Sequence, residues 1–331
     1  MEEKSEQRES VTASVDEIEL DAGYRLITEE AGVVHRDTLA SLDVMGPDAV
    51  EFLQGQLTND LGRLEPGGAM YAALLDRKAH IVADCRVLMV SPEEIMLVAE
   101  ADATEALASH LETYRIGRKV EVRDRAGERT VISVIGPATR SFLDAAPAGR
   151  EDRHLETLLG GIGCRALGTP DGVDLICARD HAETLRTALT GMGLTEVPET
   201  VAEILRVESG RPRFGFELDR SVMPAEGGIV ERAVDFEKGC YLGQEPVARL
   251  YYKGRPNRLL RGLKLSRPAQ FGEAINGSGR ELGRIATACV SPAIGPVALA
   301  LVRREAEPGA TVKIGDDGAS AEVVELPLRA R

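Results

Sequence analysis

The chain has 331 residues, of which 43% are hydrophobic and 28% charged, as is typical of a soluble globular protein with two or three domains. Its formal net charge of −14 repels nucleic acid and anionic lipid, so we do not expect direct nucleic-acid binding. No apolar run approaches the ~18 residues that a membrane-spanning helix requires, so we expect a cytoplasmic protein without a membrane partner.

The N-terminal segment is polar and mostly acidic. Residues 1–19, MEEKSEQRESVTASVDEIE, have no basic flank followed by an apolar stretch, so they do not resemble a signal peptide. We predict a disordered acidic tail over residues 1–19.

Strands and helices alternate through most of the remaining chain. GPDAVEFLQGQLTND is predicted to form a short amphipathic helix that ends at Asn59, and YAALLDRKAHIVADCRVLMV two strands joined at residues 76–79. Strand EIMLVAE precedes the helical DATEALASHLETYR, and strand GVDLICA precedes DHAETLRTALTGMG. This pairing predicts two sheet-and-helix lobes of α+β class over residues 20–262.

One predicted strand carries an acid among apolar residues. With a period of two, Asp84 shares a strand face with Val82 and Leu88. It could pair with Arg86 or Arg63 in a structural role, or it could face a cavity and handle a proton.

A second acid extends the apolar stripe of a predicted helix. In ETVAEILRVESGRP, Val201, Ile204 and Leu205 lie on one side, and Glu208 continues that side. A carboxylate there needs a donor, which could come from the protein or from a ligand. Alternatively, Glu208 lies at a frayed helix end before Gly210 and pairs with a nearby arginine.

The five cysteines lie far apart and include no C-x-x-C pair. We therefore predict reduced thiols and no metal site built from one chain. Cys85, Cys177 and Cys289 lie in apolar, strand-like runs and are predicted to be buried.

Cys240 has a different sequence environment. Nearby glycines, including Gly243, allow a sharp turn that exposes the thiol, and Lys238 favours the reactive thiolate. Gln244 and Glu245 could orient a polar ligand. A lone cysteine is more often a small buried hydrophobe, and the local sequence does not decide between these readings.

The segment from Arg249 to Arg267 is a local exception to the acidic composition. It contains seven basic residues and no acid: Arg249, Lys253, Arg255, Arg258, Arg261, Lys264 and Arg267. It could be a solvated strand face, or it could meet an acidic partner in an extended conformation. After about Gly262 helical periodicity fades, and short strands between Gly and Pro turns predict a small all-β barrel or sandwich over residues 263–331.

The segment KGCYLGQEPVARL, together with the preceding RVESGRPRFGFELDRSVMPAEGGIVERAVDFE, resembles the signature region of the YgfZ-type folate-binding proteins. These are relatives of the glycine-cleavage aminomethyltransferase, or T-protein. FLQGQLTNDL and LLDRKAHIVADCRV resemble the N-terminal lobe of that family, and GRIATACVSPAIGPVALALVRRE its C-terminal barrel, so the likeness runs from about Tyr24 to Leu328. It implies a three-lobed aminomethyltransferase-like fold that holds tetrahydrofolate in a central hole.

The resemblance also implies roles for single residues. Glu208 matches a glutamate that holds the pterin ring in T-proteins, and Asp84 matches an acid that assists one-carbon transfer. Lys238 lies near the position of a basic residue that meets the folate, and Cys240 is the signature thiol of the YgfZ branch. The candidates are therefore Cys240 and Asp84 for catalysis, and Glu208, Lys238, Tyr241, Gln244 and Arg249 for cofactor binding.

Three functions remain open at this point. T-proteins commonly have K-G-D-F-I-G-K-E where this chain has K-G-C-Y-L-G-Q-E, so the cysteine argues against glycine cleavage. The first function is a tetrahydrofolate-binding protein that supports iron–sulfur cluster assembly or repair and cluster-dependent tRNA-modifying enzymes, with iron–sulfur client or assembly proteins as partners. The alternative is an enzyme, a folate-dependent aminomethyltransferase or demethylase. In a scaffold with an empty pocket, Glu208 and Lys238 would pair with each other.

Overall fold

The structure is a computed structural model that describes residues 17–277 and 279–329. Among these residues, no helix is both long and apolar enough to cross a membrane. The chain divides into two compact units. We call them the sheet unit, which comprises Ala22–Glu199 and Glu231–Ala248, and the barrel unit, which comprises Thr200–Val230, Arg249–Arg331 and the described part of residues 1–21.

Two sheets form the sheet unit. The first has the order β11-β1-β7-β10-β9-β8 and the second the order β3-β4-β5-β2-β6. In chain order the strands are Gly32–His35 (β1), Leu39–Met45 (β2), Ala69–Leu75 (β3), Ile81–Ser91 (β4), Glu94–Glu100 (β5), Glu121–Asp124 (β6), Arg129–Ile135 (β7), His154–Leu159 (β8), Ile162–Thr169 (β9), Gly172–Ala178 (β10) and Thr195–Glu196 (β11). The strands expected from YAALLDRKAHIVADCRVLMV, EIMLVAE and GVDLICA are thus confirmed.

The α-helices of the described chain are Glu17–Glu29 (α1), Ala49–Gln54 (α2), Ala101–Tyr114 (α3), Thr139–Phe142 (α4), Ala182–Gly191 (α5), Glu199–Glu208 (α6), Val230–Ala233 (α7) and Gln244–Lys253 (α8). Short 3₁₀ turns cover Leu61–Arg63 and Arg179–His181. Helix α1 already includes residues 17–19 of the predicted tail, whose remaining residues lie outside the described part of the chain.

Helix α2 is shorter than predicted. It ends at Gln54 rather than at Asn59, because the chain turns so that Leu57 forms a β-bridge with Leu74 and is fully buried. Tertiary pairing therefore overrides the helical periodicity of this segment.

Hydrophobic residues pack both sheets together and against helices. Ala69, Leu88 and Met96 of the second sheet share a buried cluster with Leu167 and Ile176 of the first. On the opposite face of the first sheet, Leu185 and Leu189 of α5 join a second cluster. Strand β10 therefore has both faces buried, which explains its almost continuous apolar sequence.

The barrel unit contains a closed six-stranded barrel of order β12-β15-β14-β13-β16-β17. Its strands are Arg258–Leu265 (β12), Ala274–Gly277 (β13), Arg280–Ser291 (β14), Gly295–Arg303 (β15), Thr311–Ile314 (β16) and Ala319–Val324 (β17). Its interior includes Leu263, Ile275, Ala298, Val302 and Val323. The predicted α+β class with a C-terminal barrel is confirmed, and strand β12 begins at Arg258.

Candidate functional site

Asp84 lies on the β3–β4 hairpin beside a tyrosine. Tyr71 opposes Arg86 and Ala73 opposes Asp84 in the register, so Tyr71 and Asp84 are diagonal neighbours on one face. The Tyr71 hydroxyl donates a hydrogen bond of 2.8 Å to Oδ2 of Asp84. Oδ1 of Asp84 is buried and has no hydrogen-bond partner among the described residues.

The surroundings of Asp84 favour its protonated carboxyl group more than water does. Burial raises its pKa from 3.8 to about 6, although the Tyr71 hydrogen bond and the charge of Arg232 act in the opposite direction. The pKa of Tyr71 rises well above its usual value, mainly through burial and then through the charge of Asp84. Asp84 can therefore gain and lose a proton close to neutral pH.

The expected structural partners of Asp84 are engaged elsewhere. Arg86 lies 3.3 Å from Glu151, and Arg63 pairs with Asp60 at 3.1 Å and with Asp235 at 2.8 Å. The structural alternative, in which Asp84 pairs with Arg86 or Arg63, is therefore not supported.

Sequence reasoning missed two residues that complete this site, Tyr71 and Arg232. The Arg232 guanidinium lies 4.9 Å from the centre of the Tyr71 ring and pairs with Glu151 at 2.9 Å. The register of the two strands that flank the predicted turn could have placed Tyr71 near Asp84. Tyr71 lies two residues from Ala73, which is opposite Asp84, so the two side chains share a face of the hairpin. No local signal could have placed Arg232, which is distant in sequence.

Cys240 lies in a turn just before α8. It is exposed, whereas Cys85, Cys164, Cys177 and Cys289 are buried. Gly243 has a φ of +83°, and a Cβ there would lie 2.6 Å from the main-chain oxygen of Asp76, so this turn requires glycine. The exposed thiol expected at Cys240 and the burial expected for the strand cysteines are confirmed.

Lys238 is buried and donates three hydrogen bonds to main-chain carbonyls. Its Nζ lies 2.8 Å from the oxygen of Gln54, 2.6 Å from that of Leu57 and 2.8 Å from that of Asn59. Burial lowers its pKa to about 8. Because an ammonium group has three N–H bonds, none is left in this conformation to donate to the Cys240 thiol.

Tyr241 packs beside this lysine. Nζ of Lys238 lies 5.2 Å from the centre of the Tyr241 ring. The Tyr241 hydroxyl is buried without a hydrogen-bond partner among the described residues, and burial raises its pKa to about 12. A buried hydroxyl of this kind costs free energy unless a water or a ligand completes it.

Gln244 and Arg249 lie on α8, which begins directly after the Gly243 turn. The basic segment is therefore not extended throughout, because its first residues, up to Lys253, are helical. The prediction of an extended conformation is wrong for this part.

Several charges of the basic segment are neutralised inside the barrel unit. Arg258 pairs with Glu226 at 3.1 Å, and Arg267 lies 2.8 Å from both Glu273 and Asp317. Lys253 and Arg255 are exposed and have no ion pair with a described residue.

Glu208 is the last residue of α6 in the barrel unit and is only 2% exposed. Its Oε1 accepts a hydrogen bond from the Ser291 hydroxyl, and its Oε2 lies 3.7 Å from Nη1 of Arg329. Its main-chain oxygen accepts from the amide of Leu328 at 2.8 Å. The carboxylate thus has partners within its own unit, and the scaffold reading that pairs it with Lys238 is not supported.

A second buried carboxylate on the same helix has close ionic partners. Glu203 lies 2.8 Å from Arg206 and 3.2 Å from Arg213, and Arg206 also pairs with Glu217 at 3.0 Å. These distances are typical of structural ion pairs, whereas the contact between Glu208 and Arg329 is longer.

The predicted residues fall into the two units. Asp84, Lys238, Cys240, Tyr241 and Gln244 belong to the sheet unit, and Glu208 and Arg249 belong to the barrel unit. Within the sheet unit the structure brings Lys238 and Tyr241 into contact. Among the described residues, no group of three or more His, Cys, Asp or Glu side chains is placed to hold a metal ion.

Comparison with known proteins gives a consistent result. An aminomethyltransferase from Streptomyces coelicolor is 29% identical over 333 residues, which cover 92% of this chain and 88% of the relative. One from Corynebacterium jeikeium is 27% identical over 349 residues, covering 93% and 90%. The crystal structure of the glycine cleavage system aminomethyltransferase T from Bartonella henselae has the same fold, with a TM-score of 0.84 at 23% identity, and the match covers 94% of this chain and 89% of that one.

The GCVT N-terminal domain family matches residues 17–238, which is well over half of the chain. The protein therefore belongs to the GCVT N-terminal domain family.

Proposed function

We propose that this protein is a cytoplasmic tetrahydrofolate-binding protein of the YgfZ type and that it supports iron–sulfur proteins through Cys240. Membership of the GCVT N-terminal domain family supports folate binding, because it agrees with the resemblance to T-proteins, which implies tetrahydrofolate as the ligand. The K-G-C-Y-L-G-Q-E segment supports the finer assignment, since it has a cysteine where T-proteins commonly have an acid.

Two unpartnered polar atoms of the sheet unit suit a reduced folate. Oδ1 of Asp84 can accept a hydrogen bond, and the Tyr241 hydroxyl can donate one. A pterin ring offers N–H donors together with nitrogen and oxygen acceptors, so it has a hydrogen-bonding group to match each of these atoms. Glu208 of the barrel unit is a separate candidate for folate binding, because it matches the glutamate that holds the pterin ring in T-proteins.

The exposure of Cys240 is the observation on which the thiol function depends. A reactive thiol must be accessible, and Cys240 is exposed whereas the other four cysteines are buried. The Gly243 turn and the main-chain contacts of Lys238 hold the segment on either side of this thiol. We propose that Cys240 contacts iron–sulfur client or assembly proteins directly.

Complementation tests this function. We expect a strain without the gene to lose activity of cluster-dependent tRNA-modifying enzymes, wild-type protein to restore it, and a Cys240→Ser variant to fail although it folds and binds folate. Full rescue by Cys240→Ser would contradict the role of the thiol. A deletion strain with normal cluster-enzyme activity would contradict the iron–sulfur function as a whole.

A second candidate is a folate-dependent aminomethyltransferase or demethylase. The raised pKa of Asp84 favours it, because a carboxyl group that titrates near pH 6 can exchange a proton with a substrate amine. The names of the relatives also favour it. Bound tetrahydrofolate would accept the one-carbon unit, while Asp84 would hold or move the proton and Tyr71 would keep its carboxylate oriented.

The two candidates make different demands on Asp84. If the protein is an aminomethyltransferase, it should release ammonia from an aminomethyl donor only when tetrahydrofolate is present, and Asp84→Asn should reduce that rate at least about 100-fold. If it acts through Cys240, Asp84→Asn should still complement the deletion strain. Absence of folate-dependent ammonia release from several aminomethyl donors, together with absence of folate-dependent demethylation of methylamines, would remove the second candidate.

A further inference from the structure

Strands β9 and β10 stop pairing before either strand ends. Their last paired residues are Arg165 and Ile176, although β9 begins at Ile162 and β10 continues to Ala178. The next two residues in register are Cys164 on β9 and Cys177 on β10. Continuing the β9–β10 register by one step therefore places Cys164 opposite Cys177.

The hydrogen-bond pattern determines what kind of pair these cysteines form. The main-chain amide of Arg179 donates to Glu128 of the neighbouring chain segment, one step beyond the β7–β10 ladder. Because bonding alternates along an antiparallel strand, Cys177, two residues earlier, also directs its main-chain groups toward β7. Cys164 and Cys177 therefore occupy a non-hydrogen-bonded position of the β9–β10 pair.

This position suits a disulfide. Opposite residues in a non-hydrogen-bonded antiparallel pair have Cα atoms about 4.5 Å apart in a regular ladder, and disulfides form at Cα separations of about 4.4 to 6.8 Å. Both side chains belong to the same buried cluster, so they leave the sheet on the same face. Cys164 is 4% exposed and Cys177 is 3% exposed.

A cavity borders the end of the β9–β10 pair, where both cysteines lie. It has a volume of about 210 Å³, and its lining includes Cys164, Cys177, Met96 and Glu156. The Glu156 side chain is largely exposed, so the cavity communicates with solvent. A water molecule occupies about 30 Å³ in the liquid, so hydrogen peroxide, which is only slightly larger, can enter.

We propose that Cys164 and Cys177 form a reversible redox pair that closes to a cross-strand disulfide when a small peroxide reaches one of the two thiols. In the first step a cysteine thiolate attacks hydrogen peroxide, the O–O bond breaks, and sulfenic acid and hydroxide form. In the second step the other thiol attacks the sulfenic sulfur, the S–S bond forms, and water leaves. The two sulfur atoms lose two electrons in total, and peroxide gains them.

The pair differs from the exposed Cys240. Burial raises the pKa of Cys164 to about 11, with a further contribution from the Cys177 thiol, and burial also raises the pKa of Cys177. The thiolate fraction is therefore small at neutral pH, so closure is slow there. Its rate should rise roughly tenfold per pH unit between pH 7 and pH 9, because the thiolate fraction rises by that factor.

The test uses folded full-length Cys240→Ser protein, so that the exposed thiol does not react first. The protein is treated with hydrogen peroxide at pH 8 and is then denatured in the presence of an alkylating agent. Its peptides are mapped by mass spectrometry without reduction. We expect a linked pair of peptides containing Cys164 and Cys177, lighter by two hydrogen atoms than the two reduced peptides. Dithiothreitol should restore both thiols.

Two buried cysteines serve as internal controls. Cys85 opposes Ala72 and Cys289 opposes Val297, so neither has a cysteine across the strand pair, and both should remain alkylatable. Cys164→Ala should abolish the linked peptide and leave Cys177 alkylatable. The proposal is overturned if Cys164 and Cys177 stay as fully alkylated as Cys85 and Cys289, or if they oxidise to separate sulfinic acids without a linkage.

Discussion

The Tyr71 hydroxyl donates a 2.8 Å hydrogen bond to one carboxylate oxygen of Asp84, and the other oxygen of Asp84 is buried without a partner among the described residues. Asp84 is therefore held in place at a cost to the stability of its ionised form. This arrangement is expected for a group that binds a ligand. It should also make the free energy of unfolding depend on pH.

We predict that Asp84→Asn stabilises the protein at neutral pH but not in acid. The folded-state pKa of Asp84 is about 6 instead of 3.8, so its favourable contribution is complete below pH 3.8 and is lost as the pH rises through 6. At pH 7.5 the free energy of unfolding should be about 1 to 3 kcal/mol higher in Asp84→Asn than in the wild type. Urea unfolding at pH 4, 6 and 7.5 measures this difference.

Tyr71→Phe is the matched control for this prediction. It removes the hydrogen bond that lowers the pKa of Asp84, so the loss of stability should extend to higher pH. A difference between Asp84→Asn and wild type that is constant from pH 4 to pH 7.5 would show that Asp84 is not a strained acid.

The sequence is most informative for elements whose buried residues recur at a regular spacing. The strands around Asp84, the helix that carries Glu208 and the C-terminal barrel follow from apolar spacing and from Gly and Pro turns. Helix α2 was predicted too long because the pairing of Leu57 with Leu74 is a tertiary contact. Arg232 was not found because nothing near it in the sequence indicates that its side chain reaches the Tyr71 ring.

The role expected for Lys238 shows a different limit. A lysine near a cysteine in sequence suggests thiolate activation, but the direction in which the lysine side chain points matters more than its distance from the cysteine along the sequence. The three carbonyl groups that accept from Lys238 belong to Gln54, the last residue of α2, and to Leu57 and Asn59, which follow that helix. Sequence spacing does not report where a long side chain points.

We predict opposite effects of Tyr241→Phe on stability and on ligand affinity. The substitution keeps the ring beside Lys238 and removes a buried hydroxyl without a partner, so the stability of the free protein should be unchanged or rise by up to about 1 kcal/mol. Affinity for tetrahydrofolate should fall by about 0.5 to 1.5 kcal/mol. Thermal unfolding and calorimetric titration measure the two effects, and a loss of stability with unchanged affinity would assign the hydroxyl an internal role.

We predict that Cys240 reacts first with an alkylating agent. It is exposed, while burial raises the pKa of both Cys85 and Cys289 and removes them from solvent. Timed alkylation of the native protein followed by peptide mapping should label Cys240 well before the others. Labelling that starts at Cys85 or Cys289 would contradict this assignment.

We also propose that the exposed cations of the basic segment meet the glutamate chain of a polyglutamylated folate. Lengthening the polyglutamate should then raise affinity at low salt, and most of this gain should vanish near 1 M salt, where the screening length is about 3 Å. A Lys253→Glu, Arg255→Glu double variant should lose the length dependence and keep monoglutamate binding.

Arg267→Gln is the control for the basic segment, since the charge of Arg267 is already neutralised by Glu273 and Asp317. It should leave the length dependence intact. Equal affinity of the wild type for mono- and polyglutamates at low salt would exclude the proposed contact and leave Lys253 and Arg255 as solvated charges.

Calorimetric titration of tetrahydrofolate into the wild type and into Glu208→Gln tests folate binding directly. Glutamine still accepts from Ser291 but lacks the charge, so we predict saturable 1:1 binding to the wild type that weakens by about 1.5 to 3 kcal/mol in Glu208→Gln. Ser291→Ala, the control, should lower the free energy of unfolding by about 1 kcal/mol and leave affinity nearly unchanged. Absence of binding to the folded wild type would contradict the proposed function, and unchanged affinity with lowered stability in Glu208→Gln would limit Glu208 to its internal contacts.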